Sequence, residues 1–139
     1  MAGKNQEQRH GAIGVVYIDG RYLVIQRAST VEAPGAYCFP GGHIGPDESS
    51  QAAVVRELHE ELGVDCQARE LLWQSVTEWN VHLDWWKVEL KKGFEIQANL
   101  AEVAQVLWLT PAEMRELDGL LSSNLAFLEW REGRMKDEG

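Results

Sequence analysis

The chain has 139 residues, of which 45% are hydrophobic and 25% charged, enough for one hydrophobic core in a globular domain. With 22 acidic against 13 basic residues its formal charge is -9, which speaks against a nucleic-acid polymer or an anionic membrane surface as partner. An anionic substrate would need a cation between it and the protein, and a divalent metal meets that need. No apolar run approaches the ~20 residues of a membrane span, and the polar start "MAGKNQEQRHG" lacks the apolar stretch of a secretory signal. Cys38 and Cys66 are the only cysteines, and a reduced, cytoplasmic protein is the simplest expectation. With no repeat or linker, a single domain over 1–139 is expected.

In chain order, "AIGVVYI" (12–18) and "RYLVIQR" (21–27) are rich in β-branched and aromatic residues, and Asp19-Gly20 between them predicts a tight hairpin turn. Residues 28–37 read as a loop, and "CFPGGHIG" as irregular backbone at the edge of a short strand. Ser49 and Ser50 are candidate caps for a helix "SQAAVVRELHEEL" that stops at Gly63. Strands follow around 66–79 and 81–91, broken near Asn80, and again at 103–110. Pro111 opens a helical "PAEMREL", and "SSNLAFLEWRE" forms a last helix capped by Ser122 or Ser123. The order strands, helix, strands, helices predicts a mixed α/β sandwich rather than a doubly wound parallel sheet.

The helix ending at Gly63 carries an electrostatic anomaly. At about 100° per residue, Glu60 lies about 60° to one side of Glu57 and Glu61 about 40° to the other, so three carboxylates share one arc of roughly 100°. Val55, Leu58 and Leu62 fall on a different arc, predicted to face the core, and Ala53 is small enough to let something approach the acidic face. Like charges at these spacings repel, and Arg56 is the only cation on the helix. A solvated acidic face is one reading. The other is a site for Mg²⁺ or Mn²⁺, which take hard carboxylate oxygens together with substrate phosphates.

The wider stretch resembles the Nudix box: Gly, five residues, Glu, seven residues, then Arg-Glu-apolar-x-Glu-Glu-x-Gly-apolar. Gly42, Glu48, Arg56, Glu57, Leu58, Glu60, Glu61, Gly63 and Val64 fill every specified position. The "FPGG" before it and the first hairpin are also similar to the family, and the resemblance extends over nearly the whole chain.

That resemblance implies an α/β/α sandwich with a mixed β-sheet and a loop–helix–loop catalytic motif. It further implies hydrolysis of a nucleoside diphosphate linked to another moiety, with a divalent metal. By position, Glu57, Glu60 and Glu61 would be metal ligands, Glu60 and Glu61 the indispensable ones, with the carbonyl of Gly41 a further ligand. Glu48 and Arg56 would brace loop and helix, with Glu48 also a candidate neighbour of a second metal, and Arg56 has the alternative of a purely structural ion pair.

"IQRA" and "LSSNLAF" look like segments of MutT-type triphosphate pyrophosphohydrolases that hold the nucleotide. Their counterparts here are Arg27, otherwise an exposed strand-end charge, and Asn124, otherwise a residue of a helix's first turn. Glu102 occupies the region of an extra acidic residue near the metals, or is a surface loop glutamate. His43 is either a phosphate contact or a loop residue. Four of six Trp lie in 73–86, and one of Trp79, Trp85 or Trp86 is a candidate to line the pocket; His82 is equally open.

The expected activity is therefore a Mg²⁺- or Mn²⁺-dependent nucleoside triphosphate pyrophosphohydrolase of MutT type. The alternatives are a hydrolase of ADP-ribose, nucleotide sugars or dinucleoside polyphosphates, and a non-catalytic nucleotide sensor. Many relatives dimerise, so a homodimer is an expectation as well.

Overall fold

The computed structural model describes residues 9–138, with side chains described to 134. They gather into two compact units, each made of two chain segments: one of residues up to Val16 with Pro40–Gln97, the other of Tyr17–Phe39 with residues from Ala98 onward.

The first unit is built on strands β1 (Arg9–Val15), β5 (Gly41–His43), β6 (Cys66–Val76) and β7 (Val81–Leu90), in the order β5-β1-β7-β6. The sheet is mixed. β1 and β7 run parallel, from Arg9 opposite Val81 to Val15 opposite Lys87, while β5 and β6 are antiparallel to their neighbours.

Helix α1 (Ser50–Leu62) packs on this sheet. Ser49 caps its start by accepting from Ala52 N–H at 3.1 Å, and Gly63, at φ 65, closes it by donating to the His59 carbonyl. Its buried residues are Ala53, Val54, Leu58, Glu61 and Leu62. This corrects the expected core stripe: Val54, not Val55, joins Leu58 and Leu62, and Ala53 is buried in the core instead of opening the acidic face. Gly14 of β1 lets the helix come this close, since a Cβ there would lie 2.8 Å from Leu58 Cδ1 and 3.3 Å from Val54 Cγ2. Trp86 Nε1 donates to Ser50 Oγ and Gln51 Nε2 to the Ala68 carbonyl, both at 2.8–2.9 Å, pinning the first turn of the helix to β7 and β6.

The second unit is a sheet of β2 (Tyr17–Ile18), β3 (Arg21–Arg27), β4 (Tyr37–Cys38) and β8 (Val103–Leu109), in which β3 pairs with all three others, together with α2 (Pro111–Arg115) and α3 (Ser122–Glu138). Asp19 and Gly20, at φ 53 and 82, form the predicted hairpin turn. Its core holds Leu23, Val24, Ile25, Phe39, Met114, Phe127 and Leu128, with the Phe39 and Phe127 rings edge to face at 5.6 Å.

Three boundaries differ from expectation. The first strand is split: β1 and β2 belong to different sheets, and consecutive Val15 and Val16 are both buried where the alternation of a single strand breaks. β6 stops at Val76 because the Thr77 hydroxyl accepts from Trp79 and Val81 N–H and draws the chain into a turn, with Asn80 at φ 59. Ser122 and Ser123 both lie inside α3, and the Leu121 carbonyl takes the first helical bonds. Thr110 and Glu113 form a capping box that starts α2. Neither cysteine is in a disulfide, and burial, with Asp65 beside it, pushes the Cys66 thiol up to about 11. Among the described residues no helix is long and apolar enough to cross a membrane.

The close approach at Gly14 gives a stability test. Gly14→Val should destabilise the protein by about 1–3 kcal/mol through overpacking, read as a lower urea midpoint with an unchanged slope; wild-type stability would mean α1 stands farther from β1.

Candidate functional site

Gly41, His43, Glu48, Arg56, Glu57, Glu60 and Glu61 lie in the first unit, and the centre of their arrangement is a guanidinium. Arg56 Nε donates to Glu48 Oε2 at 2.7 Å, and Nη2 donates to Glu48 Oε1 at 2.9 Å and to the His43 carbonyl at 3.0 Å. Nη1 donates to Glu57 Oε1 at 2.9 Å and to both oxygens of Glu60 at 3.2 Å. Every N–H of the fork has an acceptor. Glu48 is held from its other side by the Gly45 N–H at 2.8 Å. The Arg56 bonds, followed by that of Gly45, hold the Glu48 carboxyl down at about 2, and Glu48 in turn raises Arg56 further above its usual value.

The acidic arc spans a gradient of exposure. Glu61 is 5% exposed and accepts from the Gly41 N–H at 3.0 Å. The Glu57 side chain is 13% exposed and that of Glu60 46%. Gly42 makes room for Glu57: a Cβ there would fall 2.6 Å from its carboxylate carbon. The side chain of His43 is exposed, and the bonded group at that position is its carbonyl.

Arg27, Glu102 and Asn124 lie in the second unit. Arg27 ends β3, where the pairing with β8 shifts register, and its Nε donates to the Glu32 carbonyl. Glu102 stands at the same place: its carbonyl accepts from Ala28 N–H and its carboxylate from Asn99 Nδ2. Asn124 is buried, with Oδ1 accepting from Phe39 N–H at 2.9 Å and Nδ2 donating to Ser123 Oγ. Of the three candidate tryptophans, Trp85 is fully buried with Nε1 on Ser75 Oγ and Trp86 is tied to Ser50, whereas Trp79 is 73% exposed at the β6–β7 turn. His82 stacks on His10 at 5.0 Å, and its Nε2 is buried with no hydrogen-bond partner.

Reading side chains along the sequence missed the backbone half of this arrangement. The His43 carbonyl and the Gly45 N–H carry no side-chain signature; the one available hint was the Gly45-Pro46 turn, which returns the loop toward the helix.

Among the described residues no three His, Cys, Asp or Glu side chains stand close enough together to hold a metal ion. The donor set nevertheless fits a hard divalent cation. Glu57 and Glu60 already converge on one positively charged nitrogen, Arg56 Nη1, which occupies the position of a cation toward them.

Comparison with known proteins agrees with the box. The NUDIX domain profile matches residues 8–130, so the chain belongs to the Nudix family and is a hydrolase. The CTP pyrophosphohydrolase of Escherichia coli K12 is 34% identical over 102 residues, 71% of this chain and 73% of that protein. The solution structure of the E. coli ORF135 protein matches with a TM-score of 0.74 at 28% identity, over 88% of this chain and 87% of that one. A MutT protein from Methanosarcina mazei Go1, at 19% identity, shares the fold with a TM-score of 0.77 over 93% and 95% of the two chains. The fold class is the Nudix α/β/α sandwich with a mixed sheet.

The Glu48 carboxyl fixes a pH dependence. Its folded value of about 2 lies below the ordinary 4.5, so it contributes stability above pH 4.5 that is lost as pH falls toward 2. Glu48→Gln should lower stability at neutral pH and flatten the loss between pH 4.5 and 2, measured by urea denaturation at a series of pH values. A variant as steep as wild type would assign the acid sensitivity to other carboxylates.

Proposed function

We propose that this protein is a Mg²⁺- or Mn²⁺-dependent pyrophosphohydrolase of MutT type, cleaving a nucleoside triphosphate to the monophosphate and pyrophosphate. The observation that carries the reading is the convergence of Glu57 and Glu60 on a single cationic nitrogen, with Glu61 the next residue of the helix and turned toward its buried side. Nudix hydrolases generally use divalent metal ions, and the similarity to a CTP pyrophosphohydrolase supports a nucleoside triphosphate as substrate. In this reading Glu57, Glu60 and Glu61, with the Gly41 carbonyl, hold the cation. When bound, it neutralises phosphate oxygens and lowers the pKa of a coordinated water.

The chain's own residues do the positioning. Arg56 and Glu48 fix the loop against α1, so that the carboxylates are presented from a braced helix. Glu102 would add a further carboxylate, Arg27 and Asn124 would contact the nucleotide, and His43 a phosphate. Of the three candidate tryptophans, Trp85 is fully buried, and Trp79, the most exposed, is proposed to stack on a base. The protein is further proposed to be one Nudix domain over 1–139, cytoplasmic, and acting on a free nucleotide in keeping with its charge of -9.

Product analysis with Mg²⁺ and a panel of normal and oxidised nucleoside triphosphates, ADP-ribose, nucleotide sugars and dinucleoside polyphosphates tests the proposal. Release of pyrophosphate from triphosphates is the expected result. Cleavage confined to another class would replace the substrate, and nucleotide binding without any cleavage would make the protein a sensor.

Glu61→Gln keeps an acceptor for the Gly41 N–H, so the fold should survive while turnover falls by more than about 100-fold, beyond the usual effect of residues that only orient ligands. An active variant would remove Glu61 from the site. Asn124→Ala should narrow the rate difference between bases, and unchanged selectivity with reduced stability would leave Asn124 the tie to Phe39 alone.

A further inference from the structure

The five N–H groups of Arg56 divide into two arms. Nε and Nη2 grip Glu48 through both of its oxygens and reach the His43 carbonyl, and Glu48 is itself tied to Gly45. This arm is a bidentate fork whose acceptor is fixed from both sides. The other arm is Nη1 alone. It spreads over Glu57 and Glu60, and its contacts to Glu60 are the longest of the set at 3.2 Å, on a carboxylate side chain 46% exposed. An exposed pair of that kind is weakly held.

We propose that Arg56 is the resting counterion of the acidic face. Glu57 and Glu60 exchange Nη1 for the divalent cation, so that the strength of this arm sets how tightly the chain takes the cation up. The inference rests on the cation reading above and extends it to a residue whose motif position calls only for a brace.

The charges favour such an exchange. Two carboxylates face one shared positive charge at Nη1, which leaves a negative excess that a doubly charged ion satisfies more fully. The exchange also needs no rearrangement of the backbone. The first arm keeps the guanidinium on Glu48 and His43 while the second lets go, so the carboxylates are already gathered before the cation arrives. A purely structural brace behaves differently, because its bonds to Glu57 and Glu60 persist whether or not the cation is bound.

Guanidinium NMR of the ¹⁵N-labelled full chain separates the two, with Mg²⁺ as the probe and calorimetry on the same sample. The expected result is that the Arg56 Nη1 resonances shift, and their protons exchange with water several-fold faster, in step with the heat of Mg²⁺ binding. The Nε resonance, held by Glu48, stays in place. Binding heat with unmoved Nη1 resonances overturns the exchange and leaves the cation reading standing. Nε moving together with Nη1 overturns it as well, since the whole fork would then be displaced. Absence of both heat and any resonance shift in the chain with Mg²⁺ overturns the cation reading itself, and the exchange with it.

Discussion

The arrangement around the acidic helix depends on one guanidinium. Arg56 faces Glu48, Glu57 and Glu60, and each of these carboxylates would otherwise stand beside like charge with no cation from α1 to relieve it. A lysine could supply the charge but not the fork, which joins a loop carboxylate, a loop carbonyl and two helix carboxylates at fixed angles. The loop after β5 is thereby connected to α1 through side-chain chemistry, while capping by Ser49 and packing over Gly14 set where the helix begins and how it lies on the sheet.

Burial divides the three glutamates by role. Glu61 is on the buried face with Leu58 and Leu62, and it is tolerated there because the Gly41 N–H meets it. Glu57 occupies the space left by the missing side chain of Gly42. Glu60 reaches solvent. A single helix therefore presents carboxylates of graded exposure, with the least exposed one held by the backbone of the glycine-rich segment and the most exposed one held by Arg56 Nη1.

Much of this was legible in the sequence. The hairpin at Asp19-Gly20 and the helix from Ser49 to Gly63 carry local turn or cap chemistry that acts over a few residues. Pro111 marks the start of the next helix, although Thr110, read as the end of the strand, is that helix's cap. The spacing of Gly42, Glu48, Arg56, Glu57, Glu60 and Glu61 was equally plain, because a motif is a local pattern. What escaped was non-local or carried by the backbone. The split at Val16 depends on which sheet each half of the strand joins. The assignment of Val54 rather than Val55 to the core depends on the helix's rotation over Gly14, and the His43 carbonyl has no letter of its own. Asn124 reads as a first-turn residue, and its bond to Phe39 N–H joins positions far apart in the chain.

The parallel pairing of β1 with β7 also governs how the chain can be made. Arg9 finds its partner only when Val81 has been synthesised, and both compact units are assembled from two separated segments. A nascent chain that has emerged as far as α1 thus carries a strand lacking the neighbour that completes its sheet. Closing so long a loop slows folding, and until it closes the apolar residues around Ala12 and Val15 have no finished core to enter. Neither unit corresponds to a continuous fragment, so a cut anywhere between β1 and β7 divides the first sheet.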